Sequence, residues 1–377
     1  MAPVESPDTW PLTLFLCGDV MTGRGIDQVL PHPSDATLYE PYIRSALEYV
    51  AMAENTNGSI AKPVDFTYVW GNAAEDLVRV APVARIINLE TSITTSEDYE
   101  PKGINYRMHP ANTPCLTAAK IDCCVLANNH VLDWGPFGLT DTIATLRQAG
   151  VKTAGAGRNL AEAREPAVIE VGGNSRVVVF AVGTADSGIP PHWAATEAKA
   201  GVELLPNLSG ETVASIAERV HAARRPGDVI VLSIHWGGNW GYDITREQQM
   251  FAHGLVDLAA ADVIHGHSSH HPKGIEVYRN KLILYGCGDF LNDYEGISGY
   301  EEFRSHLVLM YFVTIDASAG NLLSLKMAPF ETKRFRLHRV RSQEAAWLRD
   351  MLTREGKCMG TQVILEPDNR LVLQWQH

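Results

Sequence analysis

The chain has 377 residues, 45% hydrophobic and 20% charged, and carries a formal net charge of -12. These are ordinary globular proportions, with apolar side chains enough for a sizeable core. The acidic balance removes any general electrostatic drive toward nucleic acid or an anionic membrane, so neither is expected as a partner. The opening MAPVESPDTWPLTLFLCGDV lacks a basic n-region, and its apolar run is too short for a secretory signal. No stretch approaches the roughly 18 apolar residues of a membrane span. The expectation is a soluble, cytoplasmic protein. The six cysteines form no CxxC pair, so they read as buried thiols rather than a redox or zinc motif.

Along the chain, β-branched and aliphatic runs at 12–17, 84–88, 123–126, 176–182, 229–234, 263–265 and 282–285 predict buried strands. Apolar spacing of three and four predicts helices at 73–80, 139–149, 210–223 and 246–260. This alternation predicts an α/β protein with helices covering sheets. Residues 31–70 differ. Turn signals and one helical patch, 43–53, read as an insertion over one face. Segments at 276–278, 307–315, 322–329 and 334–340 look hairpin-like, so about 300–377 is expected to be a strand-rich extension of a single 1–377 domain.

One event recurs at the strand ends. Residues 12–17 run into Gly18-Asp19, 84–87 into Asn88-Leu89-Glu90, and 123–127 into Asn128-Asn129-His130. Residues 229–234 run into His235-Trp236, and 263–264 into His265-Gly266-His267-Ser268-Ser269-His270. Ligands of α/β sheets collect outside the carboxyl ends of strands, so these loops can converge. Each residue alone also has a bland role: Asp19 as a turn or cap, His235 as a buried imidazole, Asp133 as a helix cap. Together, carboxylate, amide and imidazole donors predict a metal site for Mn, Fe, Zn, Ca or Mg rather than a soft metal. A carboxylate that holds an imidazole raises its basicity, so His130 with Asp133, and His267 with Asp19, are candidate acid/base pairs.

The segments GDVMTGRGID, NLETSIT, LANNHVLDWG, HWGGNW and DVIHGHSSHHPKGIEVYRNKLILYGCGDFLND resemble the capsule poly-γ-glutamate synthesis proteins, the CapA-like family. That family is similar in turn to calcineurin-like metallophosphoesterases. The resemblance implies a four-layer α-β-β-α sandwich with two central mixed sheets. It also implies departures from a two-metal phosphatase. Asp19-Val20-Met21 stands where that pattern has Asp-x-His, Glu90 where it has a bridging Asp, and the histidine spacing 267–270 is altered. The resemblance therefore implies about one divalent ion per chain (Ca, Mn, Zn or Mg), held by Glu90, Asn129, His235 and His267 with Asp19 beside them. It gives His130 the acid/base role.

A second group is expected to hold substrate: Arg24, Lys102, Arg107, Trp236 and His270. Arg24 and Arg107 suit bidentate carboxylate binding, or equally salt bridges. Soluble members of the family include a lasso-peptide epimerase. The resemblance thus implies a metal-dependent acid/base enzyme acting on a peptide or glutamyl substrate, most specifically by Cα epimerisation near a C-terminal carboxylate. The alternatives are hydrolysis of poly-γ-glutamate or phosphoester bonds, or a non-catalytic part in poly-γ-glutamate synthesis or export. The sequence is silent on oligomeric state.

Overall fold

The computed structural model describes residues 11–173 and 175–376. Residues 1–10, on which much of the reading of the N-terminus rests, lie outside them. Among the described residues, a ten-stranded sheet runs in the order Thr361–Leu365, Leu371–Trp375, Asn321–Lys333, Leu307–Asp316, Pro11–Val20, Ala84–Leu89, Cys123–Val125 and Lys152–Ala154. Asp289–Leu291 joins the end of Pro11–Val20, and Arg336–Arg339 joins Asn321–Lys333. Pro11–Val20 starts a parallel run toward Lys152–Ala154, and pairs antiparallel with Leu307–Asp316 on its other side.

A six-stranded sheet follows the order Ile275–Tyr278, Lys281–Leu284, Val263–His267, Asp228–His235, Arg176–Gly183 and Ala167–Glu170. Its four middle strands are parallel and its two edges antiparallel.

The way the two sheets meet follows from alternation along a strand. Val177, Val179 and Val231 point into the core shared with the first sheet. Val178, Phe180, Ile230 and Leu232 point the other way, against Val213, Ile216, Phe251 and Leu255 of helices Gly210–Ala223 and Arg246–Asp257. Strands apolar on both faces thus form an inner layer, as parallel sheets require. Helix Gly135–Gln148 packs against the first sheet through Leu139, Ile143 and Leu146. The architecture is the mixed α/β sandwich with two central sheets. No helix among the described residues is long and apolar enough to cross a membrane.

Two local readings change. The helical patch of the 31–70 segment is Ala46–Asn57, and it starts where Ser45 and Glu48 form a capping box. The C-terminal segment, expected to be strand-rich, also contains a 15-residue helix, Ser342–Gly356. Ala345, Leu348, Met351 and Leu352 give it one buried face at helical spacing. The C-terminal strands complete the first sheet and are tied back to helix Ala73–Val80. There the fully buried Asp76 carboxylate receives Arg79, Arg339 at 3.0 Å and Arg370 at 2.8 Å.

Candidate metal centre and acid/base site

The parallel strands of both sheets end on one side, and their last residues meet there. Strand Pro11–Val20 approaches the 287–289 backbone closely enough that Asp19 N–H bonds Gly288 O at 2.9 Å. A Cβ on Gly18 would lie 1.5 Å from that oxygen, so only glycine fits before Asp19. Register then sets Asp19 beside Asn88 and Asp289, and His235 beside His267. Two triads each bring ligand atoms within 4.8 Å of one another: Asp19, His235 and His267, and Asp19, Glu90 and Asp289. All five residues are buried. Burial, then the Asp289 charge, pushes the Asp19 carboxyl up to about 7, and burial and Asp19 push Glu90 well above its ordinary range.

Hydrogen bonds fix the imidazole tautomers. The Cys17 carbonyl can only accept, so His265 Nε2–H donates to it at 2.7 Å. Burial keeps His265 neutral, with a pKa down to about 4, so its Nδ1 accepts from the Ser233 hydroxyl at 3.1 Å. The Ser233 oxygen in turn accepts from His267 Nε2–H at 2.7 Å. His267 Nδ1 is left as a lone pair.

His235 Nε2 lies 3.2 Å from Asn129 Oδ1 and its Nδ1 lies 2.8 Å from His267 Nδ1; in the tautomer whose Nε2–H donates to that amide oxygen, both Nδ1 atoms present lone pairs to each other. Burial holds both rings neutral. Two lone pairs and a carboxylate, with Asp19 Oδ2 buried and unpartnered, repel one another unless a cation lies among them. The donor set fits a divalent ion with N and O ligands.

A cavity of about 780 Å³ opens over this cluster, lined among others by Glu90, Lys102, Tyr106, Asn129, His130, Trp240, His270 and Tyr294. Two of the imidazoles that line it are each held by a carboxylate of their own. His130 Nδ1 bonds Asp133 Oδ2 at 2.7 Å, and His270 Nδ1 bonds Asp289 Oδ1 at 2.9 Å. Burial lowers His130 to about 4 against the pull of Asp133, with the Lys102 ammonium 3.3 Å from its Nδ1. Burial opposes charge on His270 as well, but Asp289 outweighs it and raises that pKa. One ring is thus biased to accept a proton and the other to donate one.

The expected site residues divide. Asp19, Glu90, Asn129, His235 and His267 come together, and His130, Asp133, Lys102 and His270 gather beside them. Lys102 lines the cavity but also forms an ion pair with Asp133 Oδ1 at 2.9 Å, so it braces the acid/base pair. His267 does not pair with Asp19 as expected. The two stand 3.8 Å apart, and His267 is bound to Ser233 instead; the second held imidazole is His270.

Two substrate expectations are corrected. Trp236 is 2% exposed, stacks on Tyr285 and packs in the core behind the second sheet. It follows His235 on an extended chain, so its side chain points the opposite way. Arg107 lies over Trp134 and bonds Ser96 O at 2.8 Å, outside the cavity lining. Arg24 reaches the cavity wall, but Asp293 and Glu40 already occupy its guanidinium. Asp289, Tyr106 and Tyr294 were not singled out. Gly288-Asp289, following a strand, repeats the Gly18-Asp19 signal and makes Asp289 findable.

The fold and site define a class: a two-sheet α/β sandwich with a buried histidine–carboxylate cluster at converging strand ends. Residues 13–294 match the family model described as "Bacterial capsule synthesis protein PGA_cap". The chain belongs to this family, the CapA-like proteins. It is 47% identical over 368 residues to a "Probable polyglutamine synthesis accessory protein" of Mycobacterium tuberculosis strain H37Rv, covering 97% of this chain and 96% of the relative. It is 23% identical over 323 residues to "Capsule biosynthesis protein CapA" of Bacillus anthracis, covering 85% and 68% respectively. A solved phosphatase structure from Mycoplasma pneumoniae superposes with a TM-score of 0.43 at 11% identity, covering 87% of this chain and 96% of that one. So loose a likeness carries no argument about activity.

Proposed function

We propose that the chain is a metal-dependent acid/base enzyme acting on a peptide or glutamyl chain, most specifically epimerising a Cα near a C-terminal carboxylate. The observation that supports this is the pair of held imidazoles in one cavity, His130 on Asp133 and His270 on Asp289. Exchange of a carbon-bound proton needs a ready acceptor and a ready donor at the same pH, and environments that push two pKa values apart supply them. His130 Nδ1 is engaged by Asp133, so Nε2 is the atom free to take the proton.

Asp19, Glu90, His235, His267 and Asp289, with Asn129 beside them, would hold a divalent ion of the Ca, Mn, Zn or Mg class. Such an ion supplies positive charge that polarises a carbonyl and acidifies the adjacent C–H. The names of the relatives, for polyglutamine synthesis and capsule biosynthesis, favour a glutamyl chain as substrate. Lys102, Arg304 and Lys333 on the cavity wall offer its carboxylates positive charge.

The test is incubation of peptides and γ-glutamyl oligomers in deuterium oxide, with and without chelator. Chelator-sensitive deuteration at Cα without cleavage is the expected result. New amine termini without deuteration would replace epimerisation by hydrolysis. Neither reaction across both substrate sets would favour a non-catalytic part in polymer synthesis.

A further inference from the structure

Tyr106 and Tyr294 line the cavity with their hydroxyl oxygens 2.7 Å apart. Neither hydroxyl has another hydrogen-bond partner among the described residues. Two phenols carry two O–H bonds, and their mutual contact uses one. The other proton has no acceptor in the protein, so its acceptor has to come from the cavity. Burial keeps both phenols protonated.

The placement is what gives this spare donor a use. The Tyr106 ring stacks on His130 at 3.9 Å and 21°, and the Tyr294 ring stands edge-on to His270 at 5.4 Å and 88°. The hydroxyl pair therefore bridges the two acid/base imidazoles. Each tyrosine is also anchored through its backbone. Tyr106 N–H bonds Asp133 Oδ2 at 2.6 Å, and Tyr294 N–H bonds Asn292 Oδ1 at 3.1 Å. The Arg24 guanidinium lies 4.9 Å from the Tyr106 ring and 5.7 Å from the Tyr294 ring, favouring a polarised phenol.

We propose that Tyr106 and Tyr294 form a paired-hydroxyl oxyanion donor, whose free O–H binds the substrate carbonyl oxygen on which negative charge develops. The substrate class is a carbonyl compound with an ionisable α-carbon, and this assignment rests on the acid/base reading above. When His130 takes the Cα proton, the C–H electron pair moves onto that oxygen, where the phenol O–H meets it. His270 returns a proton to the carbon and the electron pair moves back. No oxidant or reductant is required, and the donor is fixed before the charge appears.

The test uses the full chain labelled with 3-fluorotyrosine, with acetate as a minimal oxyanion probe. Fluorine resonances for the two rings are assigned from the single variants Tyr106→Phe and Tyr294→Phe. Acetate is expected to move both resonances saturably. The double variant, with a melting temperature close to that of the parent, is expected to bind acetate roughly tenfold to a hundredfold more weakly, as loss of a hydrogen bond to a charged group implies. In the deuterium-exchange assay, kcat should fall by about a hundredfold with KM little changed. Acetate binding that moves neither resonance, no acetate binding at all, or equal affinity in the double variant overturns the donor assignment. Absence of exchange in the parent chain counts against the acid/base reading instead, and leaves the acetate result to decide the hydroxyl pair. If the double variant does not fold, Tyr294→Phe alone decides: Tyr294 is the less buried ring, and an unchanged Tyr106 shift on acetate addition would refute the pairing.

Discussion

Replacing Ser233 by alanine tests the metal centre through a residue that touches no ligand atom of the ion. Ser233 is fully buried on strand Asp228–His235, beside His265 in register. Its hydroxyl donates to His265 Nδ1 and accepts from His267 Nε2–H. The variant leaves one buried acceptor and one buried donor unmatched. At about 1–3 kcal/mol for each unsatisfied group, unfolding free energy should fall by about 2–6 kcal/mol. The tautomer of His267 also loses its anchor, so Nδ1 is no longer obliged to be the lone pair. Loss of an outer hydrogen-bond partner typically lowers metal affinity by about 10–100-fold.

Urea denaturation of the chelated protein measures the first effect, and calorimetric titration with manganese measures the second. If stability falls while affinity stays at the parental value, His267 is not a ligand that needs its tautomer fixed, and the chain from Cys17 O to His267 is structural only. If neither changes, the tautomer assignment itself fails.

Other expectations follow from particular contacts. Asp19 belongs to both donor triads, so Asp19→Ala should abolish stoichiometric divalent metal in elemental analysis of the purified chain; retention of a full complement would remove Asp19 from the site. Burial raises the Glu162 pKa, but Arg158 and Arg147 outweigh it and bring it down to about 2. A depressed carboxylate stabilises the fold above its ordinary value near 4.5, and that contribution is lost as pH falls through the window to about 2. The melting-temperature gap between the parent and Glu162→Gln should therefore be widest above pH 5 and shrink by pH 3; a gap independent of pH would contradict the assignment. Asp76→Ala strands the mostly buried Arg370, whereas Arg79 and Arg339 are about half exposed and can rehydrate. The expected loss is about 3 kcal/mol in denaturant unfolding, at the low end for breaking a buried pair; less than 1 kcal/mol would mean the C-terminal strands are held by their apolar contacts alone.

Much of the layout is legible in the sequence because buried parallel strands write themselves as apolar runs. The run at 229–234 became Asp228–His235, and 84–88 became Ala84–Leu89. Convergence of the polar residues was legible too, since five such runs end in potential ligands. What the sequence hides is direction and partner choice. Trp236 follows His235, and Arg107 follows Tyr106; in extended chain, neighbours point to opposite faces, and only one of each pair reaches the site. The sequence points to both His235 and Trp236, and to Arg107 beside Tyr106; in each pair it is the larger or charged neighbour that turns away from the site. Arg24 was hidden differently, because its carboxylate partners Glu40 and Asp293 are 16 and 269 residues away in sequence. Helix Ser342–Gly356 carries its buried residues at helical spacing, but it lies between strands on both sides.

The candidate ligand set straddles the seam between the two sheets. Asp19 and Glu90 come from the ends of strands in the first, His235 and His267 from the second. An ion gripped by both halves binds only while the halves are docked, so its binding energy adds to the work of prying them apart. Metal occupancy would then act as a staple on the sandwich. The first backbone amides to gain hydrogen-exchange rate on chelation should be those where the sheets face each other, rather than those of the outer helices.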